Sequence, residues 1–141
     1  MPKPAYWLIK SEPSVYPYAQ LEKDGRTEWT GIRNFLARNN LRAMKPGDLC
    51  LYYHSNEGKE IVAVAKVLAE ATEDSTAPGE NWASVMVAPY AWLKQPVTLA
   101  TAKETKSLAT FPLVTHSRLS VASVTPADFK EVLRLAKTKL P

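Results

Sequence analysis

The stretch Tyr6-Trp7-Leu8-Ile9-Lys10-Ser11-Glu12-Pro13 changes from apolar to polar within eight residues. Its first half predicts a buried β-strand from Tyr6 to Ile9, and Pro13 disfavours helix at the residue before it. Ser11 can donate and accept a hydrogen bond, whereas Glu12 only accepts. This strand end is therefore suited to line a cleft that contacts the edge of a base. A turn in which the same side chains cap the local backbone is an equally good interpretation.

The next informative stretch is Trp29-Thr30-Gly31-Ile32-Arg33-Asn34. It predicts a helix from about Ile32 to Ala43, with Thr30 or Gly31 near its N-cap. A tryptophan beside a glycine offers a flat stacking surface with room for close approach. The alternative for Trp29 is a core anchor, the role of most tryptophans. The helical spacing places these residues on the core face: Ile32, Phe35, Leu36, Asn39 and Ala43.

A polar and cationic stripe recurs every fourth residue on the same predicted helix, at Asn34, Arg38 and Arg42. Together with Arg33 it would favour phosphate, as the N-terminus of a helix also does. The alternative interpretation is an ordinary solvated helix face.

A third stretch predicts a strand from Leu49 to His54, followed by a loop that begins with Ser55 and Asn56. Alternation places Leu49, Leu51 and Tyr53 on one face and Cys50, Tyr52 and His54 on the other. Aromatic and hydrogen-bonding side chains converge where it ends, and asparagine can donate and accept at once, as base recognition often requires. A capped strand end followed by a β-turn is the alternative.

The other predicted elements are short and separated by scattered prolines. Strands cluster in the middle of the chain, which argues against parallel βαβ repeats. The pattern predicts a single α+β domain spanning residues 1–141, in which a mixed or antiparallel sheet curves toward a barrel and helices lie outside. The elements are helical turns at Tyr18–Lys23 closed by Gly25, strands at Ile61–Leu68, Trp82–Ala88 and Ser117–Val121, a loop at Glu70–Asn81, a turn at Pro96, and helices at Leu99–Glu104 and from the Thr125 cap to about Thr138.

Composition bounds the possible functions. The 141 residues carry a formal charge of +4 and a pI of about 9.2, which slightly favours a polyanionic partner. One cysteine and two histidines cannot build a disulfide or a structural zinc site, and the strand around Cys50 predicts a packed, inert thiol. No apolar run approaches the roughly 20 residues of a membrane span, and no signal peptide is recognisable. We expect a cytoplasmic protein without metal or cofactor.

Enzyme signatures such as GxSxG, a Walker loop or HExxH do not occur in the sequence. Ser11 and His54, with Glu12 or Asp48, could form a catalytic triad, but triad partners meet only in three dimensions. A small hydrolase or base-processing enzyme and a peptide-binding adaptor are the two alternatives to a nucleic-acid-binding module.

Taken together, the three stretches closely resemble the EVE domain. The resemblance continues through Ala37 to Met44 and, near the end of the chain, through Arg118-Leu119-Ser120-Val121 followed by Val124-Thr125. It covers essentially the whole chain in the right order, and the chain looks like a bacterial stand-alone EVE protein similar to the thymocyte nuclear protein family.

The resemblance implies a PUA-like fold, a curved pseudo-barrel related to the YTH domains that bind methylated adenine. It implies a protein without catalytic activity that recognises a modified base, with modified cytosine in DNA favoured and modified RNA also considered. Carried over position by position, the family's cleft would comprise Lys10, Ser11, Glu12, Trp29, Arg33, Asn34, Arg38, Asn39, His54, Ser55, Asn56 and Arg118.

The sequence departs from the family in two places. Family members often have a tyrosine at the position of Phe35 and a glutamine at that of Leu36, which affects the edge of the cleft. Larger relatives also carry a longer insert where this chain has the short segment 70–81, which affects the breadth of the nucleic-acid contact.

These residues together predict base capture. The ring of the base would leave its stack and pack on Trp29, assisted by Trp7 or Tyr53. Polar side chains would recognise its edge, and cationic side chains would hold the flanking phosphates. The polar group is Ser11, Asn34 and Asn56, and the cationic group is Lys10, Arg33, Arg38 and Arg42.

Overall fold

A curved, mainly antiparallel sheet dominates the computed structural model, which describes residues 4–141. Six strands lie in the order β2-β6-β4-β3-β1-β7, and the short β5 pairs with β6 off this path. The strands are β1 (Tyr6–Ser11), β2 (Thr27–Trp29), β3 (Leu49–His54), β4 (Glu60–Val67), β5 (Thr72–Glu73), β6 (Ala83–Thr98) and β7 (Val121–Val124).

The helices are short and flank the sheet. They are α1 (Tyr18–Asp24), α2 (Phe35–Ala43), α3 (Leu99–Glu104), α4 (Pro112–Thr115) and α5 (Pro126–Leu135), with a 3₁₀ turn at Lys106–Leu108. This arrangement confirms the α+β class and the curved, mixed sheet with helices outside. Each helix of residues 4–141 is too short or too polar to cross a bilayer.

The strands β1 and β3 form the parallel pair of the sheet, and the candidate site lies at the end of β1, beside the end of β3. Lys10 lies opposite Tyr53, and Ser11 lies opposite His54. Because parallel strands end at the same edge, the polar residues that follow both strands come together there. Two stretches more than forty residues apart in sequence therefore share one end of the sheet.

The sheet separates two hydrophobic cores. The inner core includes the buried residues of α2, and the outer core includes those of α5. Alternation along β3 sends Cys50 and Tyr52 to the inner core and Leu49, Leu51 and Tyr53 to the outer core, as predicted. Helix α2 covers the inner core, where it packs against both β6 and β7. It thereby spans the curved sheet from the edge strand β7 to β6, the strand next to the opposite edge.

The predicted start of α2 was wrong. The helix begins at Phe35, and Asn34 is its N-cap, with Oδ1 accepting a hydrogen bond from the Ala37 amide at 2.9 Å. The predicted core face was also wrong, because the apolar residues Phe35 and Leu36 are 67% and 53% exposed. Ala37 and Leu41 are buried instead. The sequence pattern counted Ile32 as helical, whereas this buried residue precedes the helix.

Other boundaries were predicted with mixed success. Strand β3, helix α3 and the Thr125 cap of α5 are confirmed, and so is the burial of Cys50. The predicted strand Ser117–Val121 was wrong, because β7 begins only at Val121. The turn expected at Pro96 was also wrong, because β6 continues through it to Thr98. Proline is tolerated there at the register shift between Ile61 and Ala63 of β4.

Candidate nucleic-acid interface

A cleft of about 440 Å³ opens at the shared end of β1 and β3. Such a volume lies within the roughly 300–1,000 Å³ typical of small-molecule sites. Its walls combine apolar, hydroxyl, cationic and acidic groups, the last from Glu28, because a strand end, a proline-bounded loop and the turn before α2 meet there. Among its lining residues are Lys10, Ser11, Tyr16, Trp29, Gly31 and Ser120.

The indole of Trp29 forms the apolar floor of this cleft. Only 7% of the residue is exposed, and its ring lies edge-on to Tyr52 at 5.4 Å and to Tyr16 at 6.2 Å. The Tyr52 hydroxyl donates to the backbone carbonyl of Tyr16 at 2.6 Å, which fixes the loop to the core. Trp29 is therefore both a core anchor and a cleft residue, so the two interpretations of the sequence are compatible.

Sequence reasoning missed Tyr16 as a cleft residue. It lies in the loop between β1 and α1, where no periodicity marks an inward-facing side chain. The one available signal was its position between Pro13 and Pro17, which restrict the loop backbone.

Lys10 and Ser11 supply the polar side of the cleft. The Lys10 ammonium donates to the backbone carbonyls of Ser117 at 3.2 Å and His116 at 3.4 Å, and it lies 6.0 Å from the centroid of the Tyr53 ring. Burial lowers the pKa of Lys10. This lysine therefore fastens the segment before β7 to the rim of the cleft.

The residues after β3 lie beside the cleft and outside its lining. The Ser55 amide donates to the Ser11 carbonyl at 2.9 Å, and the His54 Nε2 accepts from the Tyr18 amide at 3.2 Å. Asn56 is exposed and has a φ of 66°, which is typical of a turn. The structure therefore brings Ser11 and Trp29 into one cleft and places Asn56 beyond it.

Three further candidates of the sequence analysis lie outside the cleft lining. The Trp7 indole N–H donates to Asp48 Oδ2 at 2.9 Å in the inner core, at the opposite end of β1. Tyr53 is buried in the outer core. Glu12 is exposed, and its carbonyl accepts from the amides of Val15 and Tyr16. The aromatic side chains that line the cleft are therefore Trp29, which forms its floor, and Tyr16.

Asp74 organises the turn that forms the cleft rim. Its Oδ2 accepts from the Gly31 amide at 2.9 Å and from Arg33 Nη1 at 3.0 Å. Its Oδ1 accepts from the Thr76 amide at 2.7 Å and the Thr76 hydroxyl at 2.6 Å. Gly31 has a φ of 80°, a conformation that favours glycine. One carboxylate thus holds the rim and the first arginine in place.

A second, shallower hollow of about 330 Å³ adjoins this cleft. It lies between the start of α2 and the segment before β7, which Lys10 ties to the cleft. Asn34, one of its residues, caps α2 through Oδ1, so that oxygen is engaged. The hollow is lined by Asn34, Leu36, His116, Ser117, Arg118 and Leu119.

The remaining cationic candidates follow the exposed side of α2. Arg38 donates to the Asn39 side-chain oxygen at 3.2 Å, and Arg42 donates to the Asn81 side-chain oxygen at 2.7 Å. The arginines therefore form a row along one side of the molecule rather than a ring around the cleft.

The family model for the EVE domain matches residues 5–135. This chain belongs to the EVE domain family. Its curated relatives include human thymocyte nuclear protein 1, which is 31% identical over an alignment covering 93% of this chain and 73% of the relative. The resemblance seen in the three sequence stretches is thereby confirmed.

Solved structures support the same assignment for this EVE domain. Protein Atu2648 from Agrobacterium tumefaciens is similar at a TM-score of 0.93 and 42% identity, covering 97% of this chain and 99% of that one. The human THYN1 protein, solved in complex with DNA containing 5-methylcytosine, gives a TM-score of 0.86 and 30% identity, covering 96% and 99%.

A more distant similarity concerns the fold alone. The YTH domain of the Zygosaccharomyces rouxii MRB1 protein, solved with N6-methyladenosine RNA, is 19% identical and gives a TM-score of 0.60. It covers 95% of this chain and 87% of that one. The predicted relation of this EVE domain to YTH domains through a shared PUA-like fold is confirmed.

We expect His54 to make the stability of this EVE domain dependent on pH. Burial lowers the pKa of His54 and outweighs the opposing effect of Glu60. The neutral ring accepts the Tyr18 amide, and a protonated ring could not. We expect the free energy of unfolding to fall as the pH drops from about 6.5, the ordinary histidine value, through the lower folded pKa, because the unfolded chain then binds more protons. Urea unfolding at several pH values measures this.

The matched variant is His54→Gln, whose side-chain oxygen can accept the same amide without titrating. Its stability should depend less on pH between 7 and 5 than that of the wild type. His116 is present in both proteins and cancels in the difference. Equal pH dependence in the two proteins would contradict the role assigned to His54.

Proposed function

We propose that this EVE domain binds nucleic acid and holds a modified base, 5-methylcytosine before others, in the cleft floored by Trp29, without catalysing a reaction. The cleft carries the proposal, since its apolar floor suits the flat face of a base and its polar walls suit the edge of a base. The ring would pack against Trp29 and Tyr16, while Ser11 and Thr30 offer hydroxyl groups to its edge.

A relative whose structure has been solved in complex with DNA supports this assignment. Human THYN1 was solved with DNA containing 5-methylcytosine, and it is similar to this chain over nearly its whole length. Of the twelve residues carried over from the family's cleft, three line this cleft: Lys10, Ser11 and Trp29. The shared fold and these three matching residues together favour a shared class of ligand.

Two contacts favour binding over hydrolysis. The His54 Nε2 is occupied by the Tyr18 amide, so it is not free to act as a base toward Ser11. Asp48, the acid considered for a triad, is buried and accepts from Trp7 Nε1, the Lys45 amide and the Ala5 amide.

We also propose a cytoplasmic location, where an isolated buried thiol such as that of Cys50 stays reduced.

The free energy that the cleft gains by binding the base has to exceed the cost of extruding that base from its strand. Extruding a base costs a few kcal/mol, and stacking on an aromatic side chain returns about 1–3 kcal/mol per base. A buried methyl group adds about 0.8 kcal/mol, or roughly a fourfold preference. Stacking therefore supplies most of the affinity for the base, and the methyl group supplies modest selectivity.

A binding screen tests the proposal. Short oligonucleotides with cytosine or 5-methylcytosine at one position, single- and double-stranded, should bind the protein with a preference of about four- to tenfold for the methylated base. Affinity should fall with added salt in every case, because phosphate contacts release counterions. Fluorescence anisotropy at two salt concentrations measures both effects.

The control for specificity is Ser11→Ala, which removes one hydroxyl from the cleft wall and leaves the cationic row intact. It should weaken binding of the modified oligonucleotide with an unchanged salt slope. Equal binding of methylated and unmethylated strands by the wild-type protein would refute the proposed ligand. Product formation from a modified nucleoside panel, lost in His54→Ala, would refute the absence of catalysis.

A further inference from the structure

Two aromatic rings and two guanidinium groups pack against one another where α2 begins, next to the cleft. The rings of Phe35 and Trp82 are stacked, with centroids 5.4 Å apart and planes inclined by 17°. The guanidinium carbon of Arg33 lies 5.5 Å from the Trp82 centroid, and that of Arg38 lies 5.0 Å from the Phe35 centroid. We call these four side chains the aromatic–arginine stack.

The outer face of Phe35 is open to a ligand. The Arg38 guanidinium is 5.0 Å from the Phe35 ring and 5.8 Å from the Trp82 ring, so it flanks both rings. If it covered the face of Phe35 turned away from Trp82, its distance to Trp82 would be nearly twice the separation of the two rings. In keeping with this, 67% of Phe35 is exposed.

The charge beside the stack selects an anionic partner. Within residues 4–141, Arg33 is paired with Asp74, whereas Arg38 and Arg42 form no salt bridge with a carboxylate. An exposed aromatic face bordered by unpaired guanidinium groups combines the two features by which proteins bind single-stranded nucleic acids, a base-stacking platform and a cationic track.

The stack is coupled to the cleft through one atom. The Gly31 amide, at the cleft rim, and Arg33 Nη1, in the stack, both donate to Asp74 Oδ2. The two sites are therefore held side by side by a buried carboxylate. A strand with one base in the cleft would pass the stack with an adjacent nucleotide.

We propose that the aromatic–arginine stack binds the base next to the captured one, so that this EVE domain holds two consecutive unpaired nucleotides of a single strand. The inference rests on the proposed function and extends it to the state of the strand. The outer face of Phe35 receives the neighbouring base, and Arg38 and Arg42 contact the phosphates that follow it. Paired neighbours would have to melt before binding, which favours single-stranded or locally opened targets.

The test uses single-stranded oligonucleotides that carry one 5-methylcytosine, with either neighbouring base intact or replaced by an abasic site. For the wild-type protein, one of the two abasic substitutions should weaken binding by at least about fivefold, the lower limit for a stacked base. Phe35→Ala should weaken binding of the intact strand by a similar factor and should no longer respond to that abasic site. Both measurements use anisotropy titrations.

Two variants serve as controls. Phe35→Tyr keeps the ring and should bind like the wild type. Trp92→Ala removes another exposed aromatic, 45% exposed on β6, and should leave binding unchanged. Because Phe35 is itself largely exposed, its replacement should not alter the thermal melting temperature by more than a few degrees.

The outcomes separate this inference from the proposed function. The preference for the methylated base is measured on the wild-type protein. Its absence would refute the assignment of the cleft and would leave the assignment of the stack untouched. The stack assignment fails if Phe35→Ala binds the intact strand as tightly as the wild type, or if it still responds to the abasic neighbour. It also fails if the free wild-type protein is a dimer that Phe35→Ala converts to a monomer, because the patch would then be a self-association surface.

Discussion

Replacing Trp29 by alanine is expected to abolish the preference for 5-methylcytosine and to lower the free energy of unfolding by about 3–5 kcal/mol. The side chain has both effects because it is packed edge-on against Tyr52 and Tyr16 and also forms the cleft floor. Removing it leaves a cavity in the inner core and no surface on which a base could stack. Urea unfolding measures the stability, and paired titrations with methylated and unmethylated strands measure the preference.

Trp29→Phe keeps the core filled while reducing the stacking surface, and it separates the two effects. It should cost less stability than Trp29→Ala and retain a weaker preference for the methylated strand. If the alanine variant is folded by near-ultraviolet circular dichroism and still prefers the methylated strand, the base must bind elsewhere.

The sequence predicted the strand ends that form the cleft more successfully than the helix beside it. The apolar run Tyr6 to Ile9 forms the predicted strand, and Leu49 to Tyr53 alternate between the two cores as their periodicity predicted. The apolar residues Phe35 and Leu36 misled the helix prediction, because they are exposed and were counted as core. Hydrophobic periodicity assumes that apolar side chains are buried, and that assumption fails where they form a binding surface.

The residues that tie the site together could not be predicted from local pattern. Asp74 lies in a polar segment that the sequence identified only as a surface loop, yet its side chain is fully buried. Its partners Gly31 and Arg33 are more than forty residues away. Trp82 likewise joins the stack through the chain reversal between β5 and β6. Such contacts depend on tertiary structure, which spacing within one segment does not encode.

Replacing the buried carboxylate of Asp74 is expected to cause the second large loss of stability. Four donors converge on it, two on each oxygen, and asparagine would turn its amide group toward two of them. We expect Asp74→Asn to lower the free energy of unfolding by about 3 kcal/mol, since removing one partner of a buried, hydrogen-bonded charge leaves the others unsatisfied. The matched control is Glu70→Gln, which breaks an exposed ion pair with Lys45 and should leave the free energy of unfolding almost unchanged.

The pH dependence of this difference identifies its cause. Burial alone would raise the pKa of Asp74, but hydrogen bonds from Thr76, Gly31 and Arg33 outweigh burial and hold the pKa well below its ordinary value. The folded state thus prefers the ionised form, and its stabilisation is complete above about pH 4, the unfolded value for aspartate. Below it, protons bind the unfolded chain first, so the gap between wild type and Asp74→Asn should narrow as the pH falls. A gap that stays constant from pH 7 to pH 2 in urea titrations would mean that packing, rather than the charge, holds Gly31 and Arg33 at the cleft.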